Sequence, residues 1–144
     1  MNQLLEFATN HLLLVAAAAV TGALLLYNEI RMAGSSRYAV SPDQAVRLMN
    51  KGALVLDLRK PEEYATGHLS GAKNLQLVDF DKQIDSLKRF RNKPVIAYDE
   101  RGANMPRAIA HLRRAEFEHV FSLRGGLLAW REEHLPLEKA GKKS

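Results

Sequence analysis

The chain has 144 residues, of which 47% are hydrophobic, so it can form one domain with a packed core and one short additional segment. It contains no cysteine, which excludes disulfides, cysteine-ligated metals and thiol nucleophiles. The net charge is +5, but residues 1–30 hold two acidic and no basic side chains, so residues 31–144 carry 21 basic against 14 acidic residues. Such a basic part suits acidic partners, anionic lipid or nucleic acid, or is simply a well-solvated surface.

The first predicted element is an apolar helix. Residues 7–28 contain no formally charged side chain if His11 is counted as neutral. As a helix they would be roughly 33 Å long, about one hydrocarbon core. A signal peptide would need a positive start, and a buried soluble helix would need a polar face; this segment has neither. We therefore predict that residues 1–30 form one transmembrane anchor.

The charges that flank this helix predict its orientation. Glu6 precedes it, whereas Arg31, Arg37 and Arg47 follow it. Because basic residues collect on the cytoplasmic side, the N-terminus is expected outside and the C-terminal part in the cytoplasm of a bacterial inner membrane.

Residues 31–37 are predicted to be a linker because they include Gly34, Ser35 and Ser36. Strands and helices then alternate. The strands are expected at 38–40, 54–58, 94–98 and 120–123. The helices are expected from Ser41-Pro42 to about residue 52, along Phe80, Ile84 and Leu87, through Ile109 and Leu112, and after Gly125-Gly126 with Leu128 and Trp130. This alternation predicts an α/β fold with a parallel sheet flanked by helices, whose ligands bind beyond the carboxyl ends of the strands.

Three motifs resemble a known family. Residues 55–64 (VLDLRKPEEY) and 67–75 (GHLSGAKNL) resemble the front half of a rhodanese domain, and residues 124–130 (RGGLLAW) resemble its end. The resemblance covers about residues 38–137 and leaves 138–144 as a basic tail. It implies a rhodanese-like three-layer fold with a five-stranded parallel sheet. One helix before one such domain is similar to small bacterial membrane-anchored rhodanese proteins.

Several motif residues are expected to be structural. The resemblance implies that Asp57 and Arg59 order neighbouring loops, and His68 is interpreted as a packed side chain and not as a ligand. The full structural set is Asp57, Arg59, Gly67, His68, Gly71, Gly125, Gly126 and Trp130. No histidine has metal-type spacing, so neither a metal nor a cofactor is predicted.

The catalytic position of the resembled family is changed in this chain. Family enzymes carry a cysteine directly after the fourth strand, where loop N–H groups and a helix N-terminus lower its pKa and it accepts sulfur as a persulfide. Asp99 occupies that position, and a carboxylate cannot form a persulfide. Met105 is a thioether without an ionisable S–H. We predict a catalytically inactive domain that acts as a protein-binding adaptor for an inner-membrane or membrane-associated partner.

The loop itself is still a candidate site for an anion or a peptide. Asp99 is expected to accept backbone N–H bonds, while Arg101 and Arg107 either bind an acidic group of a partner or are solvated or paired with Asp99 and Glu100. Two alternatives are an enzyme that uses Asp99 as a nucleophile and a docking partner in a sulfur relay. The candidate residues are Asp99, Glu100, Arg101, Gly102, Ala103, Asn104, Met105 and Arg107.

The remaining basic residues suggest a membrane surface more than nucleic acid. The run 88–93 contains one aromatic residue, but base-stacking aromatics and a recognition element are not evident. Together with Lys139, Lys142 and Lys143, it could face anionic lipid.

Overall fold

A computed structural model describes residues 1–141, with the side chains of residues 32–36 left aside. Lys142 and Lys143, which we expected to face lipid, lie outside these residues. The chain divides into two compact units, one ending at Gly34 and the other starting at Ser35.

The N-terminal unit is helical, but it contains two helices where the sequence predicted one. Helix α1 spans Asn2–Asn10 and helix α2 spans Leu12–Ser36, with His11 (φ −128°, ψ 46°) between them. Within α2, Leu12–Arg31 is long and apolar enough to cross a membrane, with a mean hydropathy of 1.8. Helix α2 also continues through most of the predicted linker, because its alanine and leucine residues favour helix and the late Gly34 does not end it.

The second unit contains the predicted parallel sheet. Its five strands are β1 (Ala39–Val40), β2 (Leu54–Asp57), β3 (Lys73–Asn74), β4 (Val95–Tyr98) and β5 (Val120–Leu123). The strand order is β1-β5-β4-β2-β3, and every pair is parallel. The sheet confirms the five-stranded α/β fold implied by the resemblance.

Five helices accompany these strands in the described part of the unit. They are α3 (Pro42–Asn50), α4 (Pro61–Thr66), α5 (Phe80–Gln83), α6 (Met105–Arg114) and α7 (Gly126–Glu132). Helix α3 begins as predicted, because the Ser41 side chain accepts a hydrogen bond from the Gln44 amide at 3.2 Å and Pro42 occupies the first turn.

The predicted helix through Phe80, Ile84 and Leu87 is α-helical for only four residues. It continues as a 3₁₀-helix over Ile84–Phe90, and another 3₁₀ turn, Leu77–Asp79, precedes it. The spacing of four and then three residues fits either helix type, so the pattern could not separate them.

The core lies on both faces of the sheet. Alternate residues of a strand point to opposite faces, so Leu54 and Leu56 join one cluster and Val55 joins the other. The second cluster includes Leu127 and Trp130 of α7. Leu128 of the same helix is 39% exposed. The core holds the carboxyl ends of β2 and β4 side by side.

Candidate functional site

The two candidate loops start at neighbouring points of the sheet. Asp57, the last residue of β2, pairs in register with Tyr98, the last residue of β4. The loops that follow these residues therefore lie at one edge, as is usual for ligand sites in parallel sheets.

Asp57 is completely buried, and side chains neutralise it. Its Oδ2 accepts hydrogen bonds from Arg59 Nη2 at 2.7 Å and from the Tyr98 hydroxyl at 2.6 Å. Burial alone would lower the pKa of Arg59, but the hydrogen bond and charge of Asp57 outweigh it, so the pKa is raised. Burial, reinforced by the hydrogen bond to Asp57, raises the pKa of the Tyr98 hydroxyl well above its ordinary range. Arg59 is thus charged and Tyr98 neutral.

This network reaches the loop that connects α4 to β3. Arg59 Nη2 donates to the Gly67 carbonyl at 2.6 Å, and the Tyr98 hydroxyl accepts from the Leu69 amide at 3.1 Å. Asn74 Nδ2 donates to the Arg59 carbonyl at 2.8 Å. Asp57 and Arg59 therefore order neighbouring loops, as the resemblance implied.

His68 packs in the same loop. It is 6% exposed, its ring stacks on Tyr64 with centroids 3.9 Å apart, and its Nδ1 lies 2.9 Å from the Tyr64 carbonyl. Among the described residues there is no group of three or more histidines or acids that could hold a metal ion.

The loop between α4 and β3 is also held by Glu138, which lies beyond the predicted domain boundary at residue 137. Glu138 forms an antiparallel bridge with His68, and its carboxylate accepts from Ser70 Oγ at 2.6 Å and from the Gly71 amide at 3.2 Å. These two hydrogen bonds lower the pKa of Glu138. Gly67 lies against Leu137, which leaves its Cβ position only 3.4 Å from that side chain. Ordered structure thus continues past residue 137 into the segment that we predicted to be a tail.

Asp99 has a different environment from Asp57. It is 6% exposed, and its two carboxylate oxygens accept hydrogen bonds from backbone amides of its own loop. Gly102 donates to Oδ1, and Asn104 donates to Oδ2 at 3.0 Å. Gly102 has φ +96°, a conformation that favours glycine. The carboxylate therefore has the role expected from the sequence.

The main chain of the same loop holds the start of α7. The Leu127 amide donates to the Asp99 carbonyl at 2.9 Å, and the Leu128 amide donates to the Glu100 carbonyl at 3.0 Å. At Gly126, which has φ +63°, a Cβ would lie 2.7 Å from the Asp99 carbonyl oxygen. Gly126 is therefore required by close approach. The preceding Gly125 also has a positive φ, of +74°.

The C-terminal part of α7 is held by Trp130. This side chain is 2% exposed, and its indole N–H donates to the Pro136 carbonyl at 3.1 Å. The expected structural role of Trp130 agrees with this position.

Of the alternatives left open for Arg101 and Arg107, the described residues show exposed side chains and not ion pairs with Asp99 or Glu100. Glu100 instead contacts Arg131 at 2.5 Å and Arg59 at 3.5 Å. Within residues 1–141, no carboxylate lies within 4.0 Å of the basic groups of Arg101 or Arg107, and both residues are exposed. Arg131 was missed because it is 31 residues from its partner.

Arg59, Glu100, Arg101 and Arg107 line a cavity of about 600 Å³. Its apolar wall includes Leu58, Leu77 and Val78, and Val78 is 82% exposed. Its basic lining residues are Arg59, Lys60, Arg101 and Arg107, and its acidic ones are Glu63, Asp99 and Glu100.

Not every candidate of the loop reaches this cavity. Ala103 and Asn104 line it, but Met105 does not, because the first residue of α6 turns its side chain into the core and is 3% exposed. The lining residues Leu77 and Val78 were missed by sequence reasoning. Two apolar residues in a short segment before a helix were the only available signal.

The fold and motifs agree with a known protein family. The profile of the rhodanese-like domain matches residues 41–133. The chain belongs to the rhodanese-like domain family. It is 30% identical over 139 residues to YibN of Escherichia coli, which covers 95% of this chain and 97% of that protein. It is 37% identical over 95 residues to the thiosulfate sulfurtransferase GlpE of Ectopseudomonas mendocina, covering 64% of this chain and 83% of that enzyme.

Solved structures show the same rhodanese-like fold. The rhodanese-related protein of Thermoplasma volcanium superposes with a TM-score of 0.63 at 21% identity, covering 69% of this chain and 96% of that one. The domain therefore has the family fold, with an aspartate at the position after β4 and no cysteine in the sequence.

Proposed function

We propose that this protein is a membrane-tethered, catalytically inactive rhodanese-like domain that binds another protein at the cytoplasmic face of the inner membrane. The observation that carries the proposal is the position of Asp99. Its carboxylate accepts hydrogen bonds from the amides of Gly102 and Asn104, which would otherwise be free to bind an anion. The loop thus holds an internal anion in place of a reactive thiolate.

The chemistry of Asp99 supports inactivity. Sulfur relay by this family needs an atom that can ionise and accept sulfane sulfur, and the sequence has no thiol to do so. An aspartate nucleophile must present an oxygen to a substrate, whereas the Asp99 carboxylate is 6% exposed and is held by backbone hydrogen bonds to both oxygens, which stabilise the carboxylate and so weaken it as a nucleophile.

The cavity supports binding. Arg101 and Arg107 are exposed cations without a carboxylate partner in the described chain, and they stand beside the apolar Leu77 and Val78. Such a surface favours an acidic segment, or a chain terminus, that also presents an apolar side chain.

The membrane tether rests on the N-terminal helix. Leu12–Arg31 has the length and composition of a membrane span, and Arg31, Arg37 and Arg47 follow its apolar part. By the positive-inside rule, we propose that the domain is cytoplasmic.

The inactive state is tested by Asp99→Cys. The variant places a thiol beside the Gly102 and Asn104 amides, which lower thiol pKa values by stabilising the thiolate. The thiolate should attack the outer sulfur of thiosulfate, break its S–S bond and release sulfite. Mass spectrometry should then show one added sulfur atom on the variant, none on the wild type, and none on the matched control Asp99→Ser. Thiosulfate:cyanide sulfurtransfer by the wild-type chain above a blank reaction would disprove inactivity.

The binding role is tested with a photo-crosslinking residue at Val78 in intact membranes. We expect one defined protein adduct that disappears when Arg101→Glu and Arg107→Glu are added, because charge reversal repels an acidic segment. A crosslinker at the exposed Lys51 serves as the control position. An adduct that persists after charge reversal, or that forms equally at Lys51, would contradict binding at the cavity.

A further inference from the structure

A second cationic surface lies outside the cavity, around the ring of Phe90. Lys73 Nζ lies 4.9 Å from the ring centroid, the Arg89 guanidinium carbon 4.8 Å, and Lys93 Nζ 5.8 Å. We call Lys73, Arg89, Phe90 and Lys93 the Phe90 cluster. Residues from β3, from the end of the second 3₁₀-helix and from the segment before β4 thus place three positive charges around one ring.

The charges of this cluster lack counterions. Nearby Lys88 pairs with Asp85 at 2.8 Å, and Arg91 pairs with Glu116 at 3.5 Å. In the described part of the chain, by contrast, no carboxylate lies within 4.0 Å of the basic groups of Lys73, Arg89 or Lys93. Three like charges that share one aromatic ring repel one another, and a polyvalent anion would relieve that repulsion.

The shape of the cluster favours a membrane surface. Phe90 packs one side against the core and remains half-buried, while the long lysine and arginine side chains around it are exposed. A ring with flexible cations suits the polar boundary of a bilayer. It suits single-stranded nucleic acid less well, because cations already occupy the surroundings of the one aromatic ring on which a base would stack.

We propose that the Phe90 cluster binds the phosphate groups of anionic lipids and so holds the domain against the membrane. This inference rests on the membrane tether of the proposed function, which would keep the local concentration of lipid headgroups high. Each basic residue at an anionic surface contributes about fivefold to binding, so the three together contribute on the order of 100-fold.

The absence of cysteine makes the test direct. Asn92→Cys, next to the cluster, can be spin-labelled as a single site in the full chain. The labelled chain is placed in nanodiscs of phosphatidylcholine alone or of an equimolar mixture with phosphatidylglycerol. Collisions of the label with a water-soluble nickel chelate are then measured. A label at Ala18→Cys, in α2, reports separately whether the helix is in the bilayer.

We expect the label at position 92 to lose nickel collisions only in discs that contain phosphatidylglycerol. The variant with Lys73→Gln, Arg89→Gln and Lys93→Gln should weaken docking on the order of 100-fold. The control with Lys51→Gln, Arg114→Gln and Arg124→Gln removes the same charge from other exposed positions and should retain docking. Equal exposure in both lipids, with position 18 embedded, would overturn the lipid proposal alone.

Two further outcomes would also overturn it. If position 18 remains in water, the tether fails, and the lipid proposal fails with it. If single-stranded RNA protects position 92 and phosphatidylglycerol discs do not, the ligand of the cluster is nucleic acid instead.

Discussion

Asp57 is the last residue of β2 and Asp99 directly follows the neighbouring strand β4, but the two carboxylates stabilise different parts of the domain. Asp57 is neutralised by the side chains of Arg59 and Tyr98, and this network reaches a loop far along the chain. Asp99 is satisfied by main-chain amides within five residues of itself. The first carboxylate joins distant elements, whereas the second orders only its own loop.

This difference distinguishes a residue that stabilises the fold, Asp57, from the residue at the family's catalytic position, Asp99. A buried charge with a buried partner cannot be removed without stranding the other charge. A carboxylate that is bonded only to amides of its own loop leaves no charged partner behind when it is replaced, so we expect a lower cost. We therefore expect the fold to tolerate an altered residue at position 99 but to depend on Asp57.

The largest expected effect comes from breaking the Asp57 network. Asp57→Ala leaves the Arg59 guanidinium buried without its partner, so we expect the free energy of unfolding to fall by about 3–5 kcal/mol. Urea denaturation can be followed through the fluorescence of Trp130, the single tryptophan of the sequence. The control Asp43→Ala removes an exposed pair with Arg47 and should cost less than about 1 kcal/mol. Equal losses of stability in Asp57→Ala and Asp43→Ala would show that the Asp57 network does not stabilise the fold.

Gly126→Ala tests the main-chain side of the loop. The new Cβ would lie 2.6 Å from the Glu100 carbonyl oxygen and would require a positive φ. We expect a loss of about 2–4 kcal/mol in the same denaturation experiment. Gly52→Ala has a positive φ but open space around its Cβ, so it measures the conformational strain alone. A loss of stability in Gly126→Ala no larger than in Gly52→Ala would contradict the close approach of Gly126 to the carbonyls of Asp99 and Glu100.

Asp99→Ala should have a smaller effect than either change. It removes the acceptor of two backbone amides, so we expect a loss of about 1–3 kcal/mol. Amide hydrogen exchange should accelerate at Gly102 and Asn104, while the amide of Leu127, which donates to a carbonyl, remains protected. Faster exchange at Leu127 would show that the side chain also holds α7.

The smallest effect concerns a third carboxylate, Glu138, and depends on pH. Its pKa is lower in the folded chain than in the unfolded chain, so the ionised form stabilises the fold. This contribution is complete above the unfolded pKa and is lost as the pH falls through the lowered folded pKa. Glu138→Gln should therefore be less stable than the wild type at neutral pH, and the difference should vanish in acid. A difference that persists in acid would assign the effect to shape and not to charge.

The parts of the fold that were predictable are those whose signals are local. Strands β2 and β4 were visible because they are buried on both faces, and α3 was visible through Ser41 and Pro42. The hydrogen bonds from backbone amides to the Asp99 carboxylate were predictable, because an acceptor side chain in a tight loop lies close to the N–H groups of that loop.

The parts that were missed depend on distant contacts or on short elements. Strand β3 has two residues, and neither is apolar. The partners Glu138 and Ser70 are 68 residues apart, and no periodic pattern links them. The cavity wall at Val78 depends on how one 3₁₀ turn meets another loop, which the sequence alone does not specify.

The start of α7 is attached to the loop through two hydrogen bonds to the main-chain carbonyls of Asp99 and Glu100, and not through the side chain of residue 99. They involve main-chain carbonyl oxygens, which all twenty amino acids have. Exchanging the group at residue 99 therefore alters what the loop can react with while the last helix stays attached. The proposed function therefore places a sulfur-transferring enzyme and a docking module one substitution apart on the same framework.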